Sequence, residues 1–347
     1  MTLVLRERFI GAKIIRAFDN SKKERDKFND VAQEYTDNYI IINKKFALLS
    51  PMAFALMSVV ITLIIFFGAM KVLNNTLEIG SITAIVEYSL TTIAALIMSS
   101  MVLVQMPKAV VSIERIEEVL NVTSEIKDKE ELKDNSYYEN ILKQNPISLT
   151  FDNVCFRYKG AEKQILKNIS FSIKAGERFA IVGATGSGKS TIAKVLLRLN
   201  DIESGRILIN GVDALDLPLN CLRNQISYTP QKAYIFSGKI KDNFRFTNKD
   251  MTDEEMIKIA KIAQSYDFID SLPDKFDSFV AQGGINFSGG QKQRLSIARA
   301  LSKDANIYLF DDSFSALDYA TDAKLRKELK TLLKDKITII IAQRLNT

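Results

Sequence analysis

Residues 183–191 read Gly183-Ala184-Thr185-Gly186-Ser187-Gly188-Lys189-Ser190-Thr191. The order G-x-x-x-x-G-K-[ST] serves one chemistry, the binding of a nucleoside triphosphate by its phosphates. Glycines let the backbone turn tightly, so that N–H groups surround the phosphate oxygens. Lys189 brings a point charge to the β- and γ-phosphates, and the Ser190 hydroxyl is placed to reach Mg²⁺. An apolar run at residues 178–182 precedes the loop and reads as a buried strand, and residues 190–199 follow as a helix. Strand, glycine loop and helix are the context this motif requires.

Two further groups bear on the same chemistry. Ile307-Tyr308-Leu309-Phe310-Asp311-Asp312 is an apolar strand ending in carboxylates. After a P-loop, Asp311 is the residue placed to hold Mg²⁺, through water. Phe287-Ser288-Gly289-Gly290-Gln291 opens a helical run to Leu301. A serine and two glycines at a helix N-terminus form a second anion-binding surface. One nucleotide has little use for two cradles in one chain. Two chains facing head to tail use both, each P-loop closed by the other chain's S-G-G-Q.

The elements that position these groups divide the chain. Residues 51–73 are almost wholly apolar, and residues 79–104 are apolar but dotted with Ser and Thr. Each is long enough for a helix to cross a bilayer. The connection holds Asn74-Asn75, and Lys44, Lys45, Lys108 and Arg115 flank the pair. That charge pattern puts both ends in the cytoplasm and the turn outside. Residues 5–47 are charged and amphipathic and read as a long helical extension of the first span. Glu87, inside the second span, reads either as an intramembrane functional carboxylate or as a side chain reaching the outer interface.

Residues 1–120 therefore read as a membrane domain, and residues 121–146, rich in Lys, Glu, Asp and Asn, as a solvated linker. Residues 147–347 alternate strand and helix patterns, with strands expected at 147–151, 154–158, 165–173 and 178–182. The expected fold is α-helical membrane spans followed by an α/β P-loop domain with an antiparallel strand layer and a helical subdomain.

Composition narrows the chemistry. With 47 basic and 41 acidic residues and no basic tract, nothing indicates nucleic-acid binding. Cys155 and Cys221 lie far apart without metal-ligand spacing. The sequence has no histidine, so no step here can use imidazole. The first residues do not read as a signal peptide.

On the P-loop, the Asp311 strand and the S-G-G-Q run, the chain resembles the ATP-binding cassette (ABC) family, in its exporter branch. The family signature is L-S-G-G-Q, and Phe287 stands in place of its Leu. The resemblance implies a half-transporter that binds ATP and Mg²⁺ and pairs with a second half-transporter in a lipid bilayer. It implies that Tyr158 stacks on adenine, where the residue alone also allows the reading of an ordinary strand tyrosine. Gln231 resembles the glutamine that touches Mg²⁺ and faces the membrane domain. Ser315-Ala316-Leu317-Asp318 resembles the D-loop, and residues 280–284 the loop that contacts a partner's membrane helices. The N-terminal half resembles the fifth and sixth membrane helices, with residues 11–18 following the second coupling helix. On that comparison the chain is expected to be a piece, lacking four membrane helices and the extreme C-terminus.

Two positions depart from the family pattern, and both serve hydrolysis. Where the family has Glu after the Mg²⁺ aspartate, this chain has Asp312. Where it has His in Ala-His-Arg, this chain has Ala342-Gln343-Arg344. A carboxylate set back by about 1 Å loses on the order of a hundredfold in rate. Glutamine can donate a hydrogen bond but cannot carry a charge. Asp312 and Gln343 are thus the candidate catalytic pair of a weakly hydrolytic site. The leading expectation is the degenerate-site half of a heterodimer. The alternatives are a competent homodimeric exporter, an ATP-sensing regulatory subunit, and a non-transport ABC ATPase, which the spans oppose.

Overall fold

The computed structural model describes residues 2–129, 135–142 and 147–343. Arg344, and the domain edge expected at Pro146, lie outside the described residues. The chain forms two compact units, Met1–Thr123 and Ser124–Thr347.

In the first unit, α1 (Thr2–Ile10) and α2 (Ala12–Ala17) precede two long helices, α3 (Ser21–Leu73) and α4 (Ile79–Leu120). At 1.5 Å per residue, α3 is roughly 80 Å long. Pro51–Leu73 and Ile79–Ser99 are long and apolar enough to cross a membrane. Their large side chains, such as Leu63, Phe66, Phe67 and Met98, are exposed, as hydrocarbon contact requires. Asn75 makes the turn between the spans with φ 57°, a left-handed conformation that Asn tolerates. Gly68 lets the helices approach: a Cβ there would stand 2.8 Å from Ile82 Cδ1. The expected continuous helix from residue 5 is interrupted. Asp19, at φ 50°, turns the chain between α2 and α3, which the apolar spacing of Phe9, Ile14 and Phe18 does not reveal.

The second unit begins with a segment that binds to its own domain. Asp128 accepts from the Leu219 N–H at 2.8 Å, and Lys127 O accepts from Arg198 at 3.3 Å. The helix α5 (Asn135–Leu142) buries Tyr138 and Leu142 in the core. The segment read as solvated therefore contains a packed element. Its apolar residues 138, 141 and 142 follow i, i+3, i+4 spacing, hidden among charges.

β1 (Ser148–Phe156), β2 (Leu166–Lys174), β3 (Arg178–Val182), α6 (Lys189–Leu196), β4 (Ser204–Ile209) and β5 (Val212–Asp213) follow. Next come α7 (Leu219–Asn224), β6 (Ile226–Thr229), β7 (Gly238–Lys239), α8 (Ile240–Arg245), α9 (Asp253–Ile262) and α10 (Tyr266–Asp270). The chain continues with β8 (Phe279–Val280), α11 (Gly289–Leu301), β9 (Ile307–Asp311), α12 (Tyr319–Leu332) and β10 (Ile337–Ala342). The two strands expected at 147–158 are one strand, β1, with irregular register between Phe151 and Phe156, where Asn153 has φ 49°.

One sheet is antiparallel in the order β2-β1-β4-β5, and the other is parallel in the order β3-β10-β9-β6. Phe151, Phe171 and Phe179 stack in sequence between them, at 4.5 and 4.7 Å. A second core, built on Phe244, Phe287, Phe310 and Phe314, joins the helices after β6 to the back of β9. The expected α/β architecture with an antiparallel layer and a helical subdomain is therefore present.

Candidate nucleotide site

The loop after β3, the ends of β6 and β9 and the residue after β10 meet at the carboxyl end of the parallel sheet. Ligands of open α/β sheets bind at that end, because loops and helix N-termini converge there. Here they enclose a cavity of about 290 Å³ lined by Thr185, Gly186, Gly188, Lys189, Ser190, Thr191, Gln231, Asp311, Asp312 and Gln343, with Ile165 and Ile341.

The phosphate side is built locally. Gly188 has φ 91°, and a Cβ there would stand 2.9 Å from Ile165 Cγ2 and 3.3 Å from the Ile165 carbonyl. Both the conformation and the space demand glycine. Lys189 Nζ donates to Gly183 O and Ala184 O, each at 2.7 Å, which folds the lysine across its own loop. A Cβ on Gly183 would meet the Ser187 hydroxyl at 2.9 Å, so the loop's first turn is equally close-packed.

The metal side is assembled from distant strands. Asp311, only 2% exposed, accepts from Ser190 Oγ at 3.0 Å on Oδ1 and from the Tyr228 hydroxyl at 3.4 Å on Oδ2. Burial, chiefly, raises the Asp311 pKa, opposed by the Ser190 and Tyr228 hydrogen bonds. Burial beside Asp311 pushes the Tyr228 phenol up to about 12, so it stays a donor. Ser190, Asp311 and Gln231 offer hard oxygen donors, the set that holds Mg²⁺ together with substrate phosphates. Among the described residues no three His, Cys, Asp or Glu side chains form a self-sufficient metal cluster.

Asp312 stands beside this set with φ 47°, its N–H bonded to Ile341 O at 2.9 Å. A single oxygen, Oδ2, accepts from Gln231 Nε2 at 3.1 Å and from Gln343 Nε2 at 2.9 Å. Ser315 Oγ donates to Asp312 O at 2.9 Å, tying the segment that begins at Ser315 to the same residue.

Tyr158 does not line the cavity. Its hydroxyl lies 3.5 Å from Thr191 Oγ1 and accepts from Lys194 Nζ at 3.2 Å. Burial alone would raise this phenol, but the Thr191 and Lys194 contacts together leave it below its ordinary value. Ser288, Gly289, Gly290 and Gln291 are also outside the cavity, at the start of α11. Ser288 Oγ accepts from the Gln291 N–H at 3.2 Å, and Gln291 Oε1 accepts from the Ser288 N–H at 2.8 Å. This reciprocal pair is a capping box. Phe287 beneath it is buried, 6.2 Å from the Phe268 ring. Tyr228 is not legible as a site residue, since only the strand order brings it to Asp311.

Comparison with known proteins bears on the family. Residues 1–96 match the ABC transporter transmembrane region, and residues 166–315 match the ABC transporter domain. The mitochondrial iron-sulfur clusters transporter ATM1 of Saccharomyces cerevisiae is 34% identical over 97% of this chain and 48% of its own length. The ATP-dependent lipid A-core flippase of Desulfotalea psychrophila is 33% identical over 99% of this chain and 59% of its own length. A solved bacterial Atm1-family ABC exporter with ATP bound superposes with a TM-score of 0.81 and 28% identity, over 99% of this chain and 59% of that one. The chain thus spans about half to three fifths of the length of these proteins. With a membrane region joined to a P-loop domain of this topology, the chain belongs to the ABC transporter family.

Proposed function

We propose that this chain is one half of an ATP-driven exporter, and that its own nucleotide site binds ATP firmly but hydrolyses it weakly. In this reading residues 183–191 cradle the phosphates, Ser190, Gln231 and Asp311 hold Mg²⁺, and Tyr158 carries the adenine. Residues 288–291 act on the ATP of a partner half-transporter. The relatives are named as transporters of different cargo, which supports export and leaves the substrate class open.

One observation carries the reading: both glutamine amides donate to the same Asp312 oxygen. Asp312 is the group nearest the role of orienting the attacking water. It is one methylene short, and its Oδ2 is shared by two neutral donors. Asp also suits the left-handed backbone there better than a longer side chain does. Asp312→Glu with Gln343→His lengthens the carboxylate and restores a titratable group. The double variant should raise hydrolysis at this site by on the order of tenfold to a hundredfold. An unchanged rate would favour a site already competent, as in a homodimeric exporter.

A further inference from the structure

Lys194 lies one turn beyond the P-loop on α6 and outside the phosphate cavity, so the phosphate chemistry makes no use of it. Its ammonium donates to the Tyr158 hydroxyl at 3.2 Å and stands 5.4 Å from the ring centroid. Thr191 precedes it by three residues, on the same helix face, with its hydroxyl 3.5 Å from the same phenol oxygen. The Phe156 ring meets Tyr158 edge-on, at 4.9 Å and 84°. The tyrosine ring, two residues beyond β1, is therefore held by the end of that strand and by the helix that begins the phosphate cradle. An aromatic fixed before the ligand arrives loses less rotamer freedom on binding than a loose one.

We propose that Lys194 is a positioning residue for base recognition, holding the Tyr158 ring in the orientation in which a purine stacks on it. This rests on the reading of Tyr158 as the adenine platform. Lys194 then acts through Tyr158 and not as a general attractor of phosphate charge. The two roles differ in what they affect. An attractor strengthens any polyphosphate and is indifferent to Tyr158. A positioning residue strengthens only ligands that carry a base, and only while the phenol hydroxyl is present.

The test is equilibrium binding of ATP and of inorganic tripolyphosphate to the full chain in lipid nanodiscs. The variants are Tyr158→Ala, Tyr158→Phe, Lys194→Met, Lys194→Arg and the double Tyr158→Phe/Lys194→Met, with melting temperatures confirming that each folds. Lys194→Met should weaken ATP about threefold to tenfold, the effect of one hydrogen bond from a charged donor, and leave tripolyphosphate unchanged. Lys194→Arg should retain ATP affinity, and the double variant should be no weaker than Tyr158→Phe alone. Equal weakening of ATP and tripolyphosphate, additive losses, or no loss in Lys194→Met while Tyr158→Ala loses affinity would each overturn the proposal. If Tyr158→Ala bound ATP as the unaltered chain does, the platform reading would fall and the proposal with it, leaving the hydrolysis reading at Asp312 untouched.

Discussion

Two glycine-rich helix starts, those of α6 and α11, carry the same sequence logic to different structural ends. The first opens into a cavity whose walls come from three other strand ends, and its lysine folds back onto its own loop. The second is closed on itself by Ser288 and Gln291, outside that cavity. Both present backbone N–H groups at a positive helix end. Only the first is surrounded by groups able to hold a metal and a γ-phosphate. A helix start of this kind is a phosphate site only in company. α6 has its company within this chain, whereas α11 would need another chain to supply it.

The sharpest break of this contrast is steric. Gly188→Val combines a strained left-handed backbone with overlap at Ile165. ATP affinity should fall by on the order of a hundredfold, measured by equilibrium binding, since overpacking of this kind costs up to about 3 kcal/mol. Retained affinity would mean that the loop rearranges around the ligand. Next in size is Tyr228→Phe, which removes one donor from Asp311. The Mg²⁺ concentration for half-maximal ATP binding should rise roughly fivefold. An unchanged Mg²⁺ dependence would confine Tyr228 to packing.

The second helix start responds through folding. Ser288→Ala removes the N-cap of α11 and should cost about 1 kcal/mol, lowering the melting temperature of nucleotide-free protein by roughly 2–4 °C. No shift would mean that the serine is not used by its own helix. The smallest effect is expected at the exposed pair Lys159–Glu125, 2.6 Å apart. Lys159→Gln should leave the melting temperature unchanged within error, because such pairs are screened by water and salt.

These contrasts follow what could be read from the residues in order. The phosphate loop is one contiguous run, so its strand, turn and helix were legible together. The same held for the apolar strand ending in Asp311 and for the S-G-G-Q helix start. Asp311 and Gln343 are each legible alone, but their meeting with Tyr228 is not: β6, β9 and the residue after β10 come together only because the sheet runs β3-β10-β9-β6. The sharing of one Asp312 oxygen by two glutamines is likewise a product of that order. The packing of α5 was masked for a different reason: three apolar residues at helical spacing are outnumbered by the charges around them. The break at Asp19 is hidden because apolar spacing continues across a left-handed turn without a change of phase.

The proposed hydrolytic weakness of the Asp312 corner is tested most directly by asking which nucleotide this chain itself holds. The full-length protein, with its partner half, would be incubated with α-labelled azido-ATP and Mg²⁺ and then photocrosslinked. The nucleotide attached to this chain would be resolved as triphosphate or diphosphate. The expected result is mostly ATP on the unaltered chain and mostly ADP on the Asp312→Glu/Gln343→His chain. ADP on both would contradict a site that binds without spending its γ-phosphate.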